Sequence, residues 1–171
     1  MLMYKNILYP TDGSQESEAV LNHVRDLAET YDARVHILFV VDSKHSNSSM
    51  TLQRDEEGKW KTGMVSRGKG EDKGGMSSDK VDVLEVLQRE GEALTQEIAT
   101  ELHDEGYKTA TACKRGKPYQ VITSYAEDND IDLIAMGTHG RSGVSRQLIG
   151  SVTEKVIRTS ATPVLTARLD E

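Results

Sequence analysis

Short, nearly all-apolar runs alternate along this chain with stretches in which apolar residues recur every three or four positions. Ile7-Leu8-Tyr9 forms the first run and Pro10 stops it. Val20, Leu21, Val24, Leu27, Ala28 and Tyr31 then follow the period of an amphipathic helix. Val35 to Val41 is a second apolar run, with the composition of a strand covered on both faces, as in a parallel sheet. Helical period returns with Val83, Leu84, Leu87, Leu94, Ile98 and Leu102, and Gly106 follows as a C-cap. Tyr107 to Lys114 alternates as a third strand. Pro118 opens a helix carrying Val121, Ile122, Tyr125 and Ala126. Leu133 to Met136 reads as a fourth strand. A helix from about Ser151 to Ser160 would bury Val152, Val156 and Ile157, and Thr162 to Ala167 closes the chain as a fifth strand.

This alternation predicts an α/β fold over residues 1–171 as one domain. The expected form is a Rossmann-like or flavodoxin-like open sheet of five mainly parallel strands with helices on both faces. Ser43 to Asp79 interrupts the pattern: it is polar and charged, and is expected to be a mobile insertion with a short hairpin around Trp60. Ligands of such sheets bind at the carboxyl ends of the strands, where the strand order reverses. Asp12, Val41, Gly116 and Gly137 each lie just past the end of a different predicted strand.

Candidate chemistry concentrates at two of those ends. After the first strand comes Pro10-Thr11-Asp12-Gly13-Ser14, a turn with cap chemistry at Asp12 or Ser14. After the fourth comes Gly137-Thr138-His139-Gly140, then nine residues, then Gly150-Ser151. Ser151 with Glu154 three positions on suggests a capping box. Strand, Gly-rich loop and helix start together make an arrangement suited to phosphate, with close backbone N–H groups and a positive dipole end. The same spacing also suits a tight loop with a helix cap and no ligand. His139 is either a phosphate-side donor or a loop histidine facing water, and the other histidines lack metal-ligand spacing. Cys113 reads as a small core residue. Gly63-x4-Gly68-Lys69 has Gly70 where a P-loop needs Ser or Thr, and Ser77-x-x-Lys80 stands without any other acylase feature.

The net charge of −7 argues against a general nucleic-acid binder, which needs a basic stripe. No apolar run approaches a membrane span, one cysteine allows no intrachain disulfide, and the first residues do not resemble a leader. A cytoplasmic protein without a membrane partner is expected.

On Tyr9-Pro10-Thr11-Asp12-Gly13-Ser14, Asp132 to Arg141, Gly150-Ser151-Val152-Thr153 and Thr162-Pro163-Val164-Leu165, the chain resembles the ATP-binding branch of the universal stress proteins. The family's G-x2-G-x9-G-[S/T] motif is matched without a gap at Gly137, Gly140, Gly150 and Ser151. The resemblance implies ATP, with Mg²⁺ expected from the nucleotide. It implies that Asp12 hydrogen-bonds the ribose, that Pro10 and Thr11 border the adenine, and that the Val40-Val41 backbone reads its edge. Met136 and Gly137 would line the site, with His139 in its loop. Gly140, Arg141, Gly150, Ser151, Val152 and Thr153 would surround the phosphates, with the Ser151 and Thr153 hydroxyls as donors. It implies a homodimer through strand 162–167 and a nucleotide-dependent regulator with a protein partner still to be named. The alternatives are a slow ATPase or self-phosphorylating enzyme, and a dimeric interaction module that needs no nucleotide.

Overall fold

The computed structural model describes residues 3–44, 50–54, 60–64, 83–138 and 149–168. The elements are β1 (Asn6–Pro10), α1 (Gln15–Tyr31), β2 (Arg34–Asp42), β3 (Met50–Arg54), β4 (Trp60–Met64), α2 (Val83–Asp104), β5 (Lys108–Gly116), α3 (Pro118–Asp128), β6 (Leu133–Gly137), α4 (Ser151–Thr159) and β7 (Val164–Ala167). Five strands form one sheet in the order β5-β2-β1-β6-β7, every neighbouring pair parallel. The expected doubly wound α/β architecture is what the chain adopts. The separate antiparallel pair β3–β4, with Arg54 opposite Trp60, lies where the sequence suggested a hairpin. The rest of the expected mobile insertion falls outside the described residues, apart from Ser43 and Lys44.

Side-chain alternation along the strands sorts the core into two layers. Ile7, Tyr9, Val35 and Ile37 pack with Val20 and Val24 of α1 and Ala99 and Leu102 of α2. Leu8, Leu38, Ile134 and Met136 pack with Ile122 and Ala126 of α3 and Val156 of α4. Ile7, Leu8, Leu38 and Ile134 are all fully buried, and each such side chain contributes roughly 1.5–3 kcal/mol of burial.

Three features differ from the sequence reading. The face that α2 buries is Gly91, Thr95, Ala99 and Leu102, while Leu87 and Leu94 are half-buried. Small residues let α2 sit close: a Cβ on Gly91 would stand 2.3 Å from the Phe39 ring. Ile157, expected in the core, is 44% exposed, because α4 turns only Thr153 and Val156 fully inward. The third strand is shifted to Lys108–Gly116, since Gly106 and Tyr107 belong to the end of α2. There the Gly106 N–H donates to His103 O and the Tyr107 N–H to Leu102 O, with Gly106 at φ +96°. This is a Schellman cap.

Candidate functional site

The strand order places β2 on one side of β1 and β6 on the other, so the connections leaving β1 and β6 part toward opposite faces of the sheet. A crevice at their carboxyl ends follows from this topology. Local chemistry widens it. The Thr11 N–H donates to Leu38 O at 2.9 Å, so odd residues of β1 aim their backbone groups at β2 and even ones at β6. Pro10 therefore faces β6 at a position where it has no N–H to offer. The β1–β6 pairing covers only Ile7 with Leu133 and Leu8 with Ile134.

The resulting cleft has a volume of about 190 Å³. Pro10, Thr11 and Asp12 form its wall from the β1–α1 turn, Val40 its edge at β2, and Met136 and Gly137 its floor at β6. Gly150, Ser151, Val152 and Thr153 close it at the start of α4. Ten of the fourteen residues singled out from the sequence thus meet at one place. Val41 does not: it is 1% exposed and lies on the α1/α2 face of the sheet, one residue out of phase with Val40. His139, Gly140 and Arg141 lie outside the described residues.

Four lining residues escaped the sequence reading: Ser17, Leu38, Pro118 and Ile122. Ser17 falls on the buried stripe of α1 three positions before Val20, which was a usable signal. Leu38, Pro118 and Ile122 look like ordinary core and cap residues, and only the packing of α3 beside β2 brings them to the cleft.

The turn after β1 is held by its own side chains. Ser14, not Asp12, caps α1, its oxygen accepting the Ser17 N–H at 3.3 Å. Asp12 instead accepts the Ser14 N–H at 2.9 Å and tightens the turn ahead of the helix. Beneath it, the Tyr9 O–H donates to Ser17 O at 2.8 Å, and burial pushes the Tyr9 phenol pKa up, opposed by its hydrogen bonds to Ser17 and Thr11.

The start of α4 also differs from expectation. Gly150 is the N-cap and makes no side-chain cap bond, so Ser151 is the first helical residue and the Ser151–Glu154 capping box does not form. The Gly150 N–H donates to Thr138 O at 2.7 Å. The Thr153 hydroxyl donates to Gly137 O at 2.8 Å, so its proton is committed to the fold and not to an anion. What α4 offers the cleft is the N–H groups of Ser151, Val152 and Thr153, which precede the first intrahelical bond, Glu154 N–H to Gly150 O. Gly137 has its own reason to be glycine: a Cβ there would stand 2.9 Å from Glu16 O. Among the described residues no three His, Cys, Asp or Glu gather to hold a metal ion. No described helix is long and apolar enough to cross a membrane.

Comparison with known proteins agrees with this architecture. The model of the universal stress protein family matches residues 3–168. Universal stress protein MJ0531 of Methanocaldococcus jannaschii is 31% identical over 166 residues, covering 97% of this chain and 83% of the relative. Universal stress protein MJ0577 of the same organism is 31% identical over 167 residues, covering 98% and 96%. A solved structure of MJ0577 superposes with a TM-score of 0.74 at 30% identity, covering 99% of each chain. A universal stress protein crystallised in complex with cAMP shares the fold, with a TM-score of 0.61 at 18% identity, covering 96% of this chain and 97% of that one.

Proposed function

The chain belongs to the universal stress protein family, and we propose that it binds ATP in the β1–β6 cleft and acts as a nucleotide-dependent regulator of a stress response. One observation carries the reading: the same cleft is lined by an apolar slot, the end of β2 and the N-terminus of α4. The slot between Pro10, Leu38, Ile122 and Met136 suits a flat heteroaromatic base. Because Leu38 O accepts from Thr11, the backbone groups of Val40 face the same way, past the end of β1. A C=O beside an N–H there matches the N6 donor and N1 acceptor of adenine, and mismatches guanine. The half-exposed Asp12 carboxylate on the wall is an acceptor for ribose hydroxyls. The amides of Ser151, Val152 and Thr153 supply neutral donors for phosphate oxygens. Mg²⁺ would enter on the triphosphate, bound mainly by phosphate oxygens and water, with Asp12 the carboxylate at hand.

Calorimetric titration of Mg·ATP into nucleotide-free protein tests this, with GTP and a Gly150→Val variant as controls and a product assay on the same samples. Gly150 has φ −60° and ψ 152°, a backbone that valine can adopt, and it lines the cleft beside the first residues of α4. The expected result is ATP binding, weaker GTP binding and loss in the variant, with no ADP formed. At a hundredfold excess over Kd, ATP should stabilise the fold by about 2.7 kcal/mol. ADP formation lost in the variant would move the reading to an ATPase. Absence of binding by folded protein would refute it and leave the interaction module.

A further inference from the structure

β5 is an edge strand of the sheet, and among the described residues it pairs only with β2. The Thr11 N–H donates to Leu38 O and the Arg34 N–H to Lys5 O, so even residues of β2 aim their backbone groups at β1 and odd ones at β5. With Val35 opposite Thr109, the even residues of β5 are the ones that answer them. The N–H and C=O groups of Thr109, Thr111, Cys113 and Arg115 therefore point away from β2, along the outer edge. Side chains alternate too. Ala112 packs on the α3 layer, whereas the Cys113 S–H donates to Gln88 O and Arg115 Nε to Gln88 Oε1, both on α2. Lys114 thus stands on the α3 side. There a groove of about 660 Å³ lies between β5 and α3. Its lining includes the half-buried Val121 and Tyr125. Its charged residues are Lys114, Arg115 and Lys117, all exposed, against Asp128 alone. Neither lysine forms an ion pair with another described residue.

We propose that this edge and groove dock an extended, acidic segment of a partner protein, added to the sheet as a further strand beside β5. A strand edge offers donors and acceptors in the pattern that an extended backbone matches, and a flanking groove selects side chains at every second position. The chain as a whole carries −7, yet the groove is positive, so carboxylates are its complement. A second copy of the chain is the poorer occupant. Pairing β5 with itself about Thr111 would set Lys114 opposite Lys108, like charge against like. The site is separate from the nucleotide cleft: both touch α3, but they share no lining residue.

The test uses the whole protein and a labelled peptide as long as β5 that alternates Glu and Val, with a Lys-Val peptide as control. Fluorescence anisotropy at low salt should show the acidic peptide binding and the basic one at least about tenfold weaker. Lys114→Glu combined with Lys117→Glu should weaken the acidic peptide by about tenfold and reverse the preference. Hydrogen exchange reads the geometry. In the free protein the Thr109, Thr111, Cys113 and Arg115 amides should exchange faster than those of their even-numbered neighbours, and the acidic peptide should slow that set alone. Peptides N-methylated on alternate residues should divide in the same way. One set should keep its affinity and the other lose it, because only one edge of the added strand meets β5. No binding of the acidic peptide, affinity that survives the charge reversal, or equal effects of the two N-methylated sets would overturn the proposal. Equal exchange of odd and even amides in the free protein would overturn the edge itself. Displacement of the peptide by Mg·ATP would place it in the cleft, against the proposal. A single-stranded oligonucleotide that binds as tightly without slowing the odd amides would replace it with a phosphate-binding surface.

Discussion

Adding one methyl group at Gly137 tests how closely the wall of the cleft is built against α1. A Cβ there would lie 2.9 Å from Glu16 O and 3.0 Å from the Glu16 carbonyl carbon. Unstrained non-bonded carbon contacts fall near 3.5–4.0 Å, so the fit is short by roughly half an ångström or more. The obstacle is main chain, not a side chain that can rotate away. It belongs to the first turn of α1, pinned by the Ser14 cap and by the Tyr9 bond to Ser17. Gly137 is in turn held by the Thr153 hydroxyl on its carbonyl. Overpacking of this kind costs about 1–3 kcal/mol. In a domain of this size each kcal/mol shifts Tm by about 2–4 °C, so Gly137→Ala should melt about 2–12 °C lower. Thermal and urea unfolding followed by circular dichroism measure this, with an unchanged m-value showing that only stability moved. ATP affinity should fall as well, because Thr11, Asp12 and Ser17 ride on the displaced turn. A Tm within 1 °C of the parent would refute the argument that α1 backbone, rather than ligand approach, demands glycine here.

Other outcomes follow from single observations. Burial, with the Arg34 charge adding to it, lowers the pKa of His36, whose ring lies between the Tyr125 hydroxyl at 3.1 Å and Asn6 Oδ1 at 3.3 Å. The unfolded chain then takes up a proton near pH 6.5 before the folded protein does, so this contribution to stability is complete above 6.5 and is lost as pH falls below it. Urea midpoints measured from pH 7.5 to 5 should drop less steeply in His36→Gln; parallel slopes would exclude His36 as the source. Burial likewise pushes the Cys113 thiol pKa up, with Glu92 adding to it, so its reaction with a disulfide reagent at pH 8 should be slower than that of free cysteine, and equal rates would contradict the packing. Among the described residues β7 pairs only with β6, and we propose its other edge as the dimer contact. Sedimentation should show Leu165→Glu as a monomer at concentrations where the parent is a dimer; a persistent dimer would place the contact elsewhere.

The period of the apolar residues was enough to order the elements and assign the fold class. Central parallel strands are buried on both faces, and so read as nearly all-apolar runs such as Val35 to Val41, broken only by His36. The glycine spacing and the Pro10 turn marked the two strand ends that form the cleft, because backbone approach and a missing N–H are written directly in residue type. What the linear pattern did not contain was phase and proximity. Val40 and Val41 are alike in sequence, and only their register against β1 and β5 sends one to the cleft and the other to the opposite layer. Pro118 and Ile122 come to the cleft from an element some eighty residues beyond β2, by packing alone. Gly137 was expected to line the site and does, but its closeness to the α1 backbone was not written in the sequence. The Thr153 hydroxyl looked like a ligand donor and is spent on Gly137. Residue chemistry and local period are properties of short segments, and the sequence holds them outright. Which face a side chain takes, and whether a polar group is already satisfied, depend on partners far along the chain, and those the tertiary structure alone brings together.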